Sequence, residues 1–333
     1  MRARQEAGSR RKEGALAIHE VQPTRANLHG HFSPGLPPIL TIDPGDTVVY
    51  RTIDAGWSLY DQEDPYLEPK KLEPRQAPQD AGHALCGPVA IRGARPGMVL
   101  EVDLQAIRPG RWGWSSAGGF RSPGNQRLGV AEGEERVLRW ALHPDAGTAV
   151  DASGRTIPIR PFLGLIGMPP SEPGIHSTIP PRASGGNLDC KELIAGSRLF
   201  LPIAVEGGLV SVGDGHASQG DGEVAGPALE CPMERVELCF RLHEKMRLVL
   251  PRAEAPIGWI TFGLHESLDE AWVMALNGML DLMAAEFGIE RKEALSLRSL
   301  LVDLHVTQVV NGVKGVHAIL PHGRLRSSAP EMA

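Results

Sequence analysis

Glycine and proline constrain this chain more than anything else in it. It carries 39 Gly and 28 Pro against 5% aromatic residues, and they follow no collagen-like period. Proline removes a backbone donor and glycine loosens the backbone, so long helices are excluded over most of the length. Many tight turns between short strands remain as the solution. The hydrophobic fraction, 42% of 333 residues, is that of a globular protein with room for a large core or two to three subdomains. A net charge of -6, with acids and bases mixed along the chain, excludes the basic field that nucleic acid requires. No apolar run approaches a transmembrane helix, and the basic start lacks a signal peptide's apolar stretch, so no membrane partner is expected. Cys86, Cys190, Cys231 and Cys239 show no CxxC spacing. They are expected as reduced thiols of a cytoplasmic protein.

Residues 1–16 are expected as a disordered tail. "ILTIDPGDTVVYRTIDA" reads as two short strands about a turn at Pro44-Gly45, and "GPVAIRGARPGMVLEVDLQAI" repeats the design about Pro96-Gly97. "RWGWSSAGGFRSPGNQRLG" and "PPSEPGIHSTIPPRASGGNLD" read as long loops, and long loops inside compact domains are commonly functional. "SRLFLPIAVEGGLVSVGD" is expected as a hairpin with Gly207-Gly208 at its tip. The character changes after His265. Trp272, Leu276, Met279, Met283 and Phe287 fall at helical spacing with Gly288 as the closing residue, and a second helix follows over Arg291 to Leu301. The expected class is β-rich α+β with the helices gathered late.

"VSVGDGHASQGDGEV", Val210 to Val224, carries the chemistry. Asp214 and His216, at i and i+2 of a strand's continuation, point to one side and make a workable half of a divalent metal site. Gln219, Asp221 and Glu223 follow in a glycine-rich loop that can fold back on the same point. Asp189, after a glycine pair, and Glu230 are further carboxylate sources. Asp and Gly make turns everywhere, but a turn does not need Asp, His, Gln, Asp and Glu together. The acid spacing is not that of an EF-hand, no Gly-Lys-Ser/Thr follows for a P-loop, and "GDGHAS" lacks the third glycine of a dinucleotide fingerprint. Cys86 beside His83 is the alternative nucleophile pair, although free cysteine is usually a small core residue.

On these residues the chain resembles the acetamidase/formamidase family, which hydrolyses short-chain amides to carboxylate and ammonia. The resembling stretches are "HALCGPVAIRGARPGMVLEV" from His83, "PFLGLIGMPP" from Pro161, "GGNLDCKEL" from Gly185, "VGDGHASQGDGEVAGPALE" from Val212 and the late "DLHVTQVVNGVKGVHAILP". The chain departs from the family at Ala84 and Cys86, where members carry Pro and Thr, and at Met98, where they carry Asp. The first pair stands near an expected pocket segment, with Cys86 a candidate substrate contact.

The resemblance implies a β-sandwich-like domain over 17–160. It also implies a β-rich, barrel-like portion over 161–265 carrying the acidic loop, and an α+β part over 266–333. It implies a divalent metal, zinc or calcium, and a homodimer or higher homo-oligomer. Asp189, Asp214, His216 and Glu230 are then the expected ligands and Glu223 the general base. His83 is expected to support the oxyanion or the leaving group, Gln219 to hold the amide, and Asp54 to orient its NH₂. The alternatives are a γ-lactam hydrolase using the same centre and a non-catalytic β-sandwich binding module.

Overall fold

The computed structural model describes residues 16–325, so the expected tail lies outside the described residues apart from Leu16. The chain is mostly β, in two large sheets with few helices. The nine-stranded sheet runs, in order, Ile18–Val21, Thr47–Tyr50, Met233–His243, Val99–Pro109, Arg198–Pro202, Arg252–Ala255, Gly258–His265, Lys314–Pro321 and Asp303–Gln308.

The eleven-stranded sheet runs along Thr156–Pro158, Thr148–Asp151, Arg136–His143, Trp112–Ala117, Leu229–Glu230, Val210–Ser218, Phe162–Gly167 and Gly185–Asn187. Leu85–Ile91 also pairs with Val210–Ser218, and carries Leu28–His29 and Leu40–Ile42 in turn. The sheets share one core, in which Leu100, Leu238 and Phe240 of the first meet Val89, Leu163 and Val212 of the second.

Neither sheet closes on itself among the described residues. The barrel-like portion expected over 161–265 is therefore not found, because the strands of that segment divide between the two open sheets.

The three expected turns share an unexpected role. The strands on either side of Pro44-Gly45 belong to different sheets, as do those flanking Pro96-Gly97 and Gly207-Gly208. The Gly207-Gly208 hairpin is thus replaced by a corner at which the chain changes sheets. The corners bond to one another: Ile91 N–H donates to Gly207 O at 2.8 Å, Gly207 N–H to Ala94 O at 2.9 Å, and Gly97 N–H to Ile203 O at 3.0 Å. Each corner needs the same tight, glycine-tolerant turn as a hairpin (Gly97 has φ 87° and Gly207 φ 75°), so their local sequences look alike.

The first expected loop also gains structure. Trp112–Ala117 is a strand, and Pro123–Leu128 is a short helix. The Ser122 hydroxyl caps that helix by accepting from Asn125 N–H at 3.0 Å, with Pro at its first position and Gly129 closing it at φ 71°.

The two late helices form where the pattern places them, at Leu268–Phe287 and Arg291–Leu301. Ala271, Ala275, Met279 and Met283 bury the first against the sheet, whereas Trp272, expected on that stripe, is 42% exposed. The approach is close because Gly263 lies beneath it; a Cβ there would sit 1.8 Å from Ala271 O.

Candidate active site

The Val210–Ser218 strand changes neighbour halfway along one edge. Val210, Val212 and Gly213 pair with the Leu85–Ile91 strand, while His216 and Ser218 pair with Leu229–Glu230. Asp214 stands at this fork. A cavity of about 350 Å³ opens there, lined among others by Trp57, His83, Trp114, Asn187, Asp214, His216, Glu223, Glu230 and Asn311. Alternation along the strand turns Asp214 and His216 to the same side, and Glu230 lies opposite His216 on the next strand.

Two carboxylates and a ring meet here. His216 Nε2 is 3.3 Å from Asp214 Oδ1 and 3.3 Å from Glu230 Oε1. Asp189 reaches the same point from the segment after Gly185–Asn187, its N–H bonded to Gly164 O at 3.1 Å. Candidate ligand atoms of Asp214, His216 and Glu230 lie within 4.8 Å of one another, as do those of Asp189, His216 and Glu223. Asp189, Asp214, His216 and Glu230 are all at most 4% exposed, and Glu223 is 6% exposed.

The backbone is strained to make this meeting. Of the five non-glycine residues with positive φ among the described residues, three are Asp189 (50°), Asp214 (57°) and Glu223 (46°). Such conformations cost on the order of 1–3 kcal/mol each and persist where surrounding structure over-determines them. Gly164 supplies the space: a Cβ there would stand 2.6 Å from Asp214 Oδ2 and 2.7 Å from Asp189 Oδ1 and His216 Cε1.

Gln219 orients the ring. Its Oε1 accepts from His216 Nδ1 at 3.0 Å, and its Nε2 donates to Asp189 O at 2.8 Å, which fixes the amide's sense. The Nδ1 proton is thereby assigned, leaving Nε2 directed at the carboxylates, the arrangement found behind metal-ligating histidines.

Electrostatics follow from crowding four acids in a dry site. Burial pushes the Asp189 and Glu223 carboxyls well above the usual range, with repulsion from Asp214 and Asp189 respectively adding to it. Glu230 is raised by burial too. For Asp214 burial also acts upward, but the pull of His216 and His83 holds it below its ordinary value. Burial opposes charge on His216, yet the negative charges of Glu230 and Asp214 raise its pKa well above the usual imidazole value.

The donor set fits a divalent cation. Asp189 Oδ1, His216 Nε2, Glu223 Oε2 and Glu230 Oε2 are buried without a hydrogen-bond partner, an expensive condition that a coordinated ion relieves. One imidazole with several carboxylates suits zinc, and the oxygen donors also accept calcium.

Not every residue expected here arrives. Asp54 lies behind the cavity wall, where its Oδ2 accepts from Trp114 Nε1 at 2.8 Å and its Oδ1 from Ser58 N–H. Both oxygens are engaged in holding the wall, and Asp54 itself does not line the cavity. Cys86 is a core residue, 0% exposed, with its thiol directed at Arg51 O and pushed by burial up to about 12. The departure from the family at Cys86 therefore does not reach the cavity.

Gln219 contacts His216 and Asp189 instead of the cavity. His83 does line the cavity, with Nδ1 2.8 Å from Thr178 Oγ1. Asn187 and Asn311 are additions that sequence reasoning missed. Asn187 stands inside the quoted "GGNLDCKEL" and Asn311 inside the quoted "DLHVTQVVNGVKGVHAILP", but neither was singled out, Asn311 because an Asn-Gly pair also makes turns.

Asp221, on the same loop as Glu223, joins His305 and His317 in a second cluster. The two rings are stacked, 5.0 Å apart and 9° from parallel, so their in-plane lone pairs do not converge. Asp221 is instead bonded to Lys191 Nζ at 2.8 Å and His305 Nδ1 at 2.8 Å, clamping the loop to the last hairpin.

Comparison with known proteins adds a family to this geometry. A model of the acetamidase/formamidase family matches residues 18–177 and 174–252. The formamidase of Methylophilus methylotrophus is 27% identical over 255 residues, 59% of each chain. The acetamidase of Mycolicibacterium smegmatis is 28% identical over 262 residues, 59% of this chain and 61% of that one. The match thus spans about 60% of the length of these curated relatives. The crystal structure of an acetamidase from Bacillus halodurans superposes with a TM-score of 0.76 at 26% identity, covering 91% of this chain and 97% of that one.

Proposed function

The chain belongs to the acetamidase/formamidase family, and on that premise we propose that it hydrolyses short linear carboxamides, of the formamide and acetamide type, to carboxylate and ammonia. The observation that carries the reading is the set of buried, unpartnered atoms on Asp189, His216, Glu223 and Glu230: the last three residues line one cavity, and Asp189 lies within reach of His216 and Glu223. Asp189, Asp214, His216 and Glu230 would hold a zinc or calcium ion. When bound, that ion polarises a carbonyl and lowers the pKa of water toward ~7.

The chain's own residues do the rest. Trp57 and Trp114 wall the cavity and exclude water around the amide. Glu223 faces the cavity with Oε2 unpartnered; in its ionised form, which a cation held by the neighbouring residues would favour, it takes a proton from the attacking water and delivers it to the departing nitrogen. A positioned base of this kind contributes roughly 10²–10⁴-fold. Thr178 engages His83 at Nδ1, which leaves the far edge of the ring to stabilise the oxyanion or the leaving group. Water oxygen bonds to the carbonyl carbon, the C–N bond breaks, and the nitrogen leaves as ammonia. Gln219 acts through His216 and Asp189 and does not touch substrate.

Two further proposals accompany this one. The four cysteines are free and buried, which supports a reducing, cytoplasmic setting. Self-association is the second, and the exposed Trp272, Leu300 and Leu304 of the C-terminal part are the residues whose substitution would test it. Among the described residues no single helix is long and apolar enough to cross a membrane.

The test is ammonia release from formamide, acetamide and propionamide, with ring opening of γ-butyrolactam followed in parallel. Turnover of a linear amide is the expected result. Faster opening of the lactam, or turnover of none, would overturn the assignment.

A further inference from the structure

The last hairpin, part of the resembling stretch "DLHVTQVVNGVKGVHAILP", reaches the cavity through Asn311. We propose that Asn311, at the tip of the last hairpin, is a positioning residue that aims Asp189 into the centre; the inference rests on the function proposed above. Asn311 Nδ2 donates to Asp189 Oδ2 at 2.7 Å, a short bond to a buried carboxylate. The other oxygen, Oδ1, has no hydrogen-bond partner and belongs to the group that converges with His216 and Glu223. Tethering one oxygen fixes where the other points.

The tether is itself held rigidly. Gln308, fully buried, accepts through Oε1 from Val310 N–H at 3.0 Å and Asn311 N–H at 3.1 Å, and donates through Nε2 to Val313 O at 2.7 Å. The same hairpin grips the loop that carries Glu223. Gly222 N–H donates to Thr307 O at 3.1 Å, and Val309 N–H donates to Gly222 O at 3.1 Å. One C-terminal element therefore sets the position of two acids from separate loops. Groups that bond to a ligating carboxylate in this way typically account for about 10–100-fold in metal affinity or activity.

The test compares zinc-loaded wild-type protein with Asn311→Ala, Asn311→Asp and Asn311→Gln. Zinc retention is read by chelator competition, kcat and KM by ammonia release from formamide, and folding by Tm. Asn311→Ala is expected to weaken zinc retention by about 10–100-fold and to lower kcat by a similar factor, with KM and Tm little changed. Asn311→Asp, which swaps the donor for a carboxylate facing Asp189, is expected to do more. Asn311→Gln, which keeps an amide donor, is expected to recover part of the loss.

Wild-type zinc retention in both Asn311→Ala and Asn311→Asp would overturn the proposal. So would a change confined to KM, because Asn311 would then be touching substrate. Wild-type protein that holds zinc but releases no ammonia would sink the functional reading and leave zinc retention to decide Asn311. Wild-type protein that holds neither zinc nor, in a parallel competition, calcium would sink both.

Discussion

Replacing Gly164 by alanine adds a single methyl group at the point where the site is tightest. The residue lies inside the Phe162–Gly167 strand, so alanine should not disturb the local backbone. The added Cβ would stand 2.6 Å from Asp214 Oδ2 and 2.7 Å from both Asp189 Oδ1 and His216 Cε1. Carbon–oxygen contacts settle at roughly 3.3 Å or beyond, so each carboxylate must retreat by about 0.6–0.7 Å.

Functional constellations tolerate about 0.5 Å of error, and a displacement near 1 Å costs on the order of 10²-fold. We therefore expect kcat/KM to fall by about 100-fold, equivalent to about 2.7 kcal/mol of transition-state stabilisation. Overpacking should cost folding about 1–3 kcal/mol, so the variant remains folded. Ammonia release gives the first number, thermal unfolding the second, and elemental analysis the metal content. A folded Gly164→Ala protein with wild-type kcat/KM and metal content would refute the convergence of three side chains on that space.

The remaining predictions probe the supports of the site and the pH response of the fold. Gln219→Leu removes the acceptor that orients His216 and the donor to Asp189 O; metal affinity by chelator competition should fall about 10–100-fold, and unchanged affinity would contradict the orienting role. Cys86→Thr restores the family's residue at a core position outside the cavity, so relative activity on formamide and acetamide should not change; a switched preference would place Cys86 at the substrate after all. Burial lowers His29 to about 4 and His317 to about 3, so both stay neutral in the fold while the unfolded chain binds protons from about 6.5 downward. The stability they contribute is complete above pH 6.5 and is lost as pH falls through those lowered values. Urea unfolding of His317→Asn between pH 7 and 3 should show a shallower decline than wild type, and equal slopes would contradict it.

The centre was legible because its chemistry is local. Asp214, His216, Gln219 and Glu223 fall within ten residues, among glycines that let them converge, and Glu230 follows on the next strand. The short strands were legible for a similar reason, since turn residues bound them. Their partners were not. Pro44-Gly45, Pro96-Gly97 and Gly207-Gly208 turn the chain from one sheet to the other, and a corner uses the same residues as a hairpin. The barrel-like expectation failed at the level of pairing, where local sequence carries no information. Asn311 was not singled out for another reason: "VVNGV" spells a turn, and only the folded hairpin sets its amide against Asp189. Asp54 shows the converse: the acid of "TIDAG" reads as a candidate, and only the fold engages its oxygens with Trp114 and Ser58.

The most direct test of the whole account joins metal content to turnover in one sample. Protein stripped of metal is titrated with zinc, and separately with calcium, while ammonia release from formamide and acetamide is followed at each addition. The account predicts that release is absent at the start, rises with metal bound and levels off when each chain has filled its centre. Full release from stripped protein, or a filled centre that cleaves neither amide, would contradict it.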